Sequence, residues 1–126
     1  MRALYIPLAV LAAILAFSLW TGQYVQQSTD VWTDALAESG EAARAEDWSA
    51  AAEHLEGAYR GWGGSQGFFH IIMDHAELDE VESLFAGALA VCQEQDEPDF
   101  HTLIAQLSAG LEMLAETQRF SLRNVL

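Results

Sequence analysis

Apolar residues fall in two patterns along this chain: one unbroken run near the N-terminus, then a long segment in which they recur every three or four positions. The run, residues 3–20, carries no charge and closes on Trp20. As a helix rising about 1.5 Å per residue it reaches about 27 Å, close to the ~30 Å hydrocarbon thickness of a bilayer. It therefore predicts an N-terminal transmembrane helix, with Pro7 tolerable in the first turns and Trp20 and Tyr24 at the outer interface, where amphipathic aromatics are favoured.

Everything beyond the run reads as helix, with few β-branched residues, two prolines in the whole chain and no strand-like alternation. A first outer helix is expected over about Gln23 to Ala45, able to continue the anchor, with Val31, Leu36 and several alanines on a weak stripe. Asp47 is placed to cap a second helix, whose stripe Trp48, Ala51, Ala52, Leu55, Ala58, Tyr59 and Trp62 is the clearest in the chain. Four glycines between Gly61 and Gly67 then predict a break, because glycine is costly inside a helix. Phe68 to Met73 are strongly apolar, and Leu78, Val81, Leu84, Phe85, Ala88, Leu89 and Cys92 carry a third helix to about Gln95. Asp96 to Asp99 form a turn and helix start, with Pro98 early and acids at the positive end of the dipole. Phe100, Leu103, Ile104, Leu107, Leu111 and Leu114 line the last helix, whose stripe ends near Glu116.

The expected architecture is all-α: an anchor over residues 1–22 and, over 23–126, a small antiparallel bundle of about four helices. The Trp-led second helix has the character of half a tetratricopeptide hairpin, but no period near the ~34 residues of that repeat recurs.

Charge adds location. All 19 Asp and Glu lie between Asp30 and Glu116, opposed there only by Arg44 and Arg60, and the chain has no Lys. Nucleic acid is excluded as a partner, and anionic lipid is disfavoured for that region, while cations or a basic protein surface would be attracted. An acidic face on helices is also what solubility alone produces. Arg2 precedes the apolar run and no basic residue follows until Arg44, so the positive-inside bias sets the N-terminus in the cytoplasm and the acidic domain outside. A second fate fits the same segment, a signal peptide cleaved after Ser18 with Ala16 and Ser18 as the small residues. The retained anchor is the expectation, because the run continues through Leu19 and Trp20. No Cys follows the run, which excludes a lipoprotein anchor. Cys92, the one cysteine, falls on an apolar stripe and is expected as a buried free thiol.

Candidate chemistry is sparse. If one helix runs through them, His70, Asp74 and Glu77 share a face, where an imidazole and two carboxylates can hold a divalent cation. His75 then shares the face of Ile71, Ile72 and Leu78 and points to the core, with Asp74 capping a helix or orienting the imidazole. Trp48, Tyr59 and Trp62 are expected as core and interface filling, and His54 and His101 as solvated. No hydrolase elbow, phosphate loop or zinc-protease motif occurs, so no catalytic constellation or cofactor is assigned.

Several of these residues together are familiar. The apolar segment ending at Trp20, Asp47-Trp48 followed by Ala51, Ala52 and Leu55, the later Trp62, the Asp74-His75-x-Glu77 element and the ending Ser121 to Leu126, with Leu122 and Asn124, resemble an uncharacterised bacterial family, domain of unknown function four-three-six-three. The resemblance covers nearly the whole chain, and the glycine cluster is the departure, since the family pattern is more continuously helical there. It implies a membrane-anchored helical protein of Gram-positive, clostridia-like bacteria, with an accessory role and no catalytic residues to carry over. The functional expectation is thus an extracytoplasmic interaction module or accessory subunit of another membrane protein. The alternative is a sensor of a divalent cation or small ligand through His70, Asp74 and Glu77.

Overall fold

Core positions in every helix advance mainly by steps of three and four residues, the spacing that keeps a stripe facing the same neighbours when helices cross at a shallow angle. In the computed structural model, which describes the backbone of residues 2–125 and the side-chain surroundings of residues 3–120, four helices follow this rule: α1 Arg2–Arg44, α2 Trp48–Ile72, α3 His75–Glu94 and α4 Glu97–Val125. Their inward residues include Val25, Trp32 and Leu36 of α1, Leu55, Trp62 and Phe69 of α2, Leu78, Val81 and Phe85 of α3, and Phe100, Leu107 and Leu111 of α4. Each helix packs on two neighbours, α1 on α2 and α4, and α3 on α2 and α4, which closes an antiparallel four-helix bundle. No strand occurs among the described residues.

The all-α expectation holds: the continuity it allowed between the apolar run and the first outer helix is realised, and the expected break at the glycines is corrected. α1 is one helix of 43 residues, so the apolar run and the first outer helix are a single rod. Residues 3–20 include no buried position, and they are long and apolar enough to cross a membrane or to serve as a signal sequence. The bundle half of α1 buries Thr21, Thr29, Trp32 and Ser39, whereas Val31 faces solvent. α2 does not break at the glycines. Tertiary packing overrides local propensity, because Trp62, Ser65 and Phe69 are all buried on one face of that stretch. α4 continues past Glu116 to Val125.

One of the four glycines has a specific task. A Cβ at Gly61 would stand 2.4 Å from Nε1 of Trp32, so only glycine lets the N–H edge of the α1 indole come up against the backbone of α2. Gly63, Gly64 and Gly67 have nothing within 4 Å of an added Cβ.

The turns are short and share a device. Glu46 and Gln95 adopt left-handed φ of 61° and 57° after α1 and α3. In each case the amide of that residue and the one after it donate back to carbonyls at the helix end, Glu46 N–H to Ala43 and Asp47 N–H to Ala42, Gln95 N–H to Cys92 and Asp96 N–H to Val91. Asp47, as expected, then caps α2 by accepting from the Ala50 amide at 3.1 Å.

Gly61→Ala is expected to destabilise the fold by about 1–3 kcal/mol through overpacking on Trp32. Gly63→Ala and Gly64→Ala should each stabilise it by about 0.5–1 kcal/mol by restricting the unfolded chain and favouring helix. Thermal or denaturant unfolding of the single variants checks the opposite signs.

Candidate functional site

The most developed polar constellation joins α2 to α3. Tyr59, Trp62 and Gln66 lie on one face of α2 and all three donate to the carboxylate of Glu82 on α3. Tyr59 Oη reaches Oε1 at 2.5 Å, while Trp62 Nε1 and Gln66 Nε2 reach Oε2 at 2.8 and 2.7 Å. Hydrogen bonds to a charged acceptor contribute about 1.5–3 kcal/mol each, and the Trp62 indole has no exposure through which water could replace Glu82. The bond to Glu82 is the main cause of an upward shift in the Tyr59 hydroxyl pKa, followed by burial and by the negative charge itself. Around the clasp, Trp62 meets Trp32, Phe69 and Phe85 at centroid distances of 5.9, 5.6 and 6.1 Å, and Tyr59 meets Phe85 edge-on at 5.3 Å. Tyr59 and Trp62 are thus core and interface residues, as expected, and Trp48 packs edge-on against Phe100. Sequence reasoning missed Glu82 and Gln66.

The turn between α2 and α3 changes the reading of the histidines. α2 ends at Ile72, Met73 is extended, and Asp74 caps α3, its carboxylate accepting from the Ala76 amide at 3.1 Å. No single helix runs through His70, Asp74 and Glu77, so the expected shared face does not exist. Among the described residues no three His, Cys, Asp or Glu side chains gather as a metal would need. His75 is exposed rather than in the core, and Ile71, expected on the same inward face, is 82% exposed. Instead His75 meets His70 across the turn, Nδ1 to Nδ1, at 2.7 Å. That contact needs one ring to donate and the other to accept, so it exists only while at least one imidazole is neutral. Glu77 lies half-buried in the first turn of α3.

Two grooves border the bundle. One of about 460 Å³ runs between α3 and α4, with Val81, Leu84, Gly110 and Met113 along it and Glu77 and Glu80 at its edge. A second of about 320 Å³ lies beside Trp48, Leu89 and Cys92. Cys92 is a buried free thiol, as expected. Burial raises its pKa and the Glu56 carboxylate adds to the effect, which opposes thiolate chemistry. His54 Nδ1 stands 3.2 Å from a Glu38 oxygen, linking α2 to α1. His101, expected in solvent, is half-buried beside Gly40, with its Nε2 enclosed.

These features define a helical bundle joined without interruption to a long apolar helix, with its most developed polar cluster, Tyr59, Trp62, Gln66 and Glu82, joining α2 to α3. The chain belongs to the family described as Domain of unknown function (DUF4363), whose model matches residues 19–125, the bundle with only the last two residues of the apolar run. No curated protein and no solved structure matches it. Of the residues that carried the resemblance, Asp47 and Asp74 are helix caps, Trp48 and Trp62 pack between helices, and His75 pairs with His70. The side chains of Leu122 and Asn124 lie outside the described residues.

Because its folded pKa lies above the usual 10, Tyr59 keeps its proton where an unfolded tyrosine has lost it. Its contribution to stability is full below pH 10 and is lost as pH rises through the higher folded value. Tyr59→Phe is therefore expected to flatten the alkaline loss of stability and to remove a tyrosinate absorbance step above pH 10 in a pH titration. Glu82→Ala should cost about 2–4 kcal/mol, since it leaves the Trp62 N–H buried and unpaired.

Proposed function

We propose that the protein is a membrane-anchored, extracytoplasmic helical interaction module in the bacterial cell membrane, acting as an accessory subunit of another membrane protein. The observation that carries this reading is the open groove between α3 and α4. Met113 is 66% exposed along it, Leu84 and Val81 supply apolar wall, and Gly110 keeps its floor low. Glu77 and Glu80 at the rim suit a partner that presents an apolar side chain flanked by Arg or Lys. The groove lies towards the end of the bundle from which the apolar segment of α1 projects, so the partner it favours is one held beside the same membrane.

The anchor supports the same reading. The apolar run is uncharged, spans about the hydrocarbon thickness at ~1.5 Å per residue, and has Arg2 on its N-terminal side. No geometry favours the cation-sensing alternative, since His70 and Asp74 stand on opposite sides of a turn.

The test is recovery of the tagged full-length chain from its native membrane in mild detergent, beside a Met113→Glu variant. The wild type is expected to bring down a stoichiometric membrane protein. The variant should lose it by about tenfold or more, the equivalent of one buried methionine, while its melting changes by less than about 0.5 kcal/mol. Recovery of the wild type alone would end the accessory-subunit reading.

A further inference from the structure

The groove between α3 and α4 does not end at Leu114. A smaller cavity of about 190 Å³ lies between the α2–α3 turn and the following turns of α4, and it shares Glu77 and Leu114 with the groove of about 460 Å³. The two form one trough, lined on α4 from Gln106 to Gln118. At about 1.5 Å per residue that stretch of α4 makes the trough roughly 18 Å long. One side chain does not fill such a length, whereas about three turns of a helix laid alongside match it.

The walls decide which conformation can lie there. Both are helices, and from Leu78 on α3 and throughout the lining stretch of α4 the main-chain amides and carbonyls are taken up in helical hydrogen bonds. An extended segment would bury its own amides against Val81, Leu84 and Met113 without partners. A helix brings its amides already paired, and it offers apolar residues at i, i+3 or i+4 and i+7 to an apolar trough. Ala109 and Gly110, small residues near the middle of the α4 wall, let its axis come close.

The charge lies on one side only. Asp74, Glu77 and Glu80 recur every three residues along the α3 wall, whereas Gln106, Met113, Thr117 and Gln118 leave the α4 wall uncharged. No Arg, Lys or His lines the trough among the described residues, so a cation for these carboxylates has to come from the occupant. The trough ends at the α2–α3 turn, where α2 lies beside the apolar segment of α1, Phe68 meeting Trp20 edge-on at 5.9 Å. A helix that leaves the same membrane beside α1 enters this end without a turn.

We infer that the occupant is a helix of another membrane protein, continuous with one of its membrane spans, with an apolar stripe of about three turns and Arg or Lys along one flank. This rests on the groove being the docking site of an anchored protein, as proposed for the function, and deepens it by naming the part of the partner that docks. The apolar stripe covers Val81, Leu84 and Met113, and the basic flank lies over Asp74, Glu77 and Glu80.

The experiment uses the full-length chain in its native membrane, with a photoreactive benzophenone amino acid in place of Gln106 or, in a second variant, of Thr117. Both positions are exposed, and they lie on one face of α4 about 16 Å apart. Mass spectrometry locates the crosslinked residues of the partner. Expected are two positions in one membrane protein, roughly 11 residues apart, in a segment that adjoins a membrane span and carries Arg or Lys along one flank. A spacing of roughly 5 residues is that of an extended chain, and it overturns the helix while the accessory-subunit reading stands. Crosslinks to a second copy of this chain overturn the inference in favour of self-association. Crosslinks to lipid alone, or to no protein, overturn the inference and the accessory-subunit reading together. Glu80→Lys added to either variant is expected to lower the crosslink yield about tenfold, and an unchanged yield overturns the basic flank.

Discussion

The indole of Trp62 is the point on which three of the four helices depend. Its ring lies between Trp32 of α1 and Phe85 of α3 and against Phe69 of its own helix, and its N–H is held by Glu82. A wholly buried donor must be paired, and a half-buried carboxylate needs donors for its oxygens, so each group solves the other's problem. The same contacts hold α2 together through its glycines, because the buried face of that stretch is anchored on both sides. Gly61 is the complementary void: Trp32 can reach Trp62 only because α2 offers bare backbone at that point.

The bundle is legible in the sequence where its stripes are made of large apolar residues. Leu78, Val81, Phe85, Ala88 and Cys92 announce α3 and its inward face without ambiguity, and Phe100 to Leu114 do so for α4. In α1 the signal is diluted, since Thr21, Thr29 and Ser39 occupy core positions and Val31 draws attention to the wrong side of Trp32. Ser39 is tolerated inside because its hydroxyl donates to the Ala51 carbonyl of α2 at 2.6 Å. The glycine run misleads for a related reason: propensity is local, and what overrules it is an indole about thirty residues away.

The constellations show the same asymmetry. Tyr59 and Trp62 are recognisable as packing residues from one helix alone, but Glu82 is one acid among 19 and gains meaning only when another helix brings three donors to it. His70, Asp74 and Glu77 show the converse. Their spacing suggests one face of one helix, and an extended Met73 is enough to turn Asp74 into a cap and His75 into the neighbour of His70. Helical spacing is evidence of proximity only where the helix is continuous.

Continuity has its own consequence in α1. A single helix running from the apolar segment into the bundle transmits rotation as well as position, because each residue turns the helix by about 100°. The azimuth of the α3–α4 groove about the apolar segment is therefore fixed by the register of α1 rather than by a linker. One residue more or fewer near Gly22 would swing the whole bundle by more than a quarter turn about the apolar segment. The protein thus acts as a bearing, its apolar helix setting the compass direction in which the groove faces.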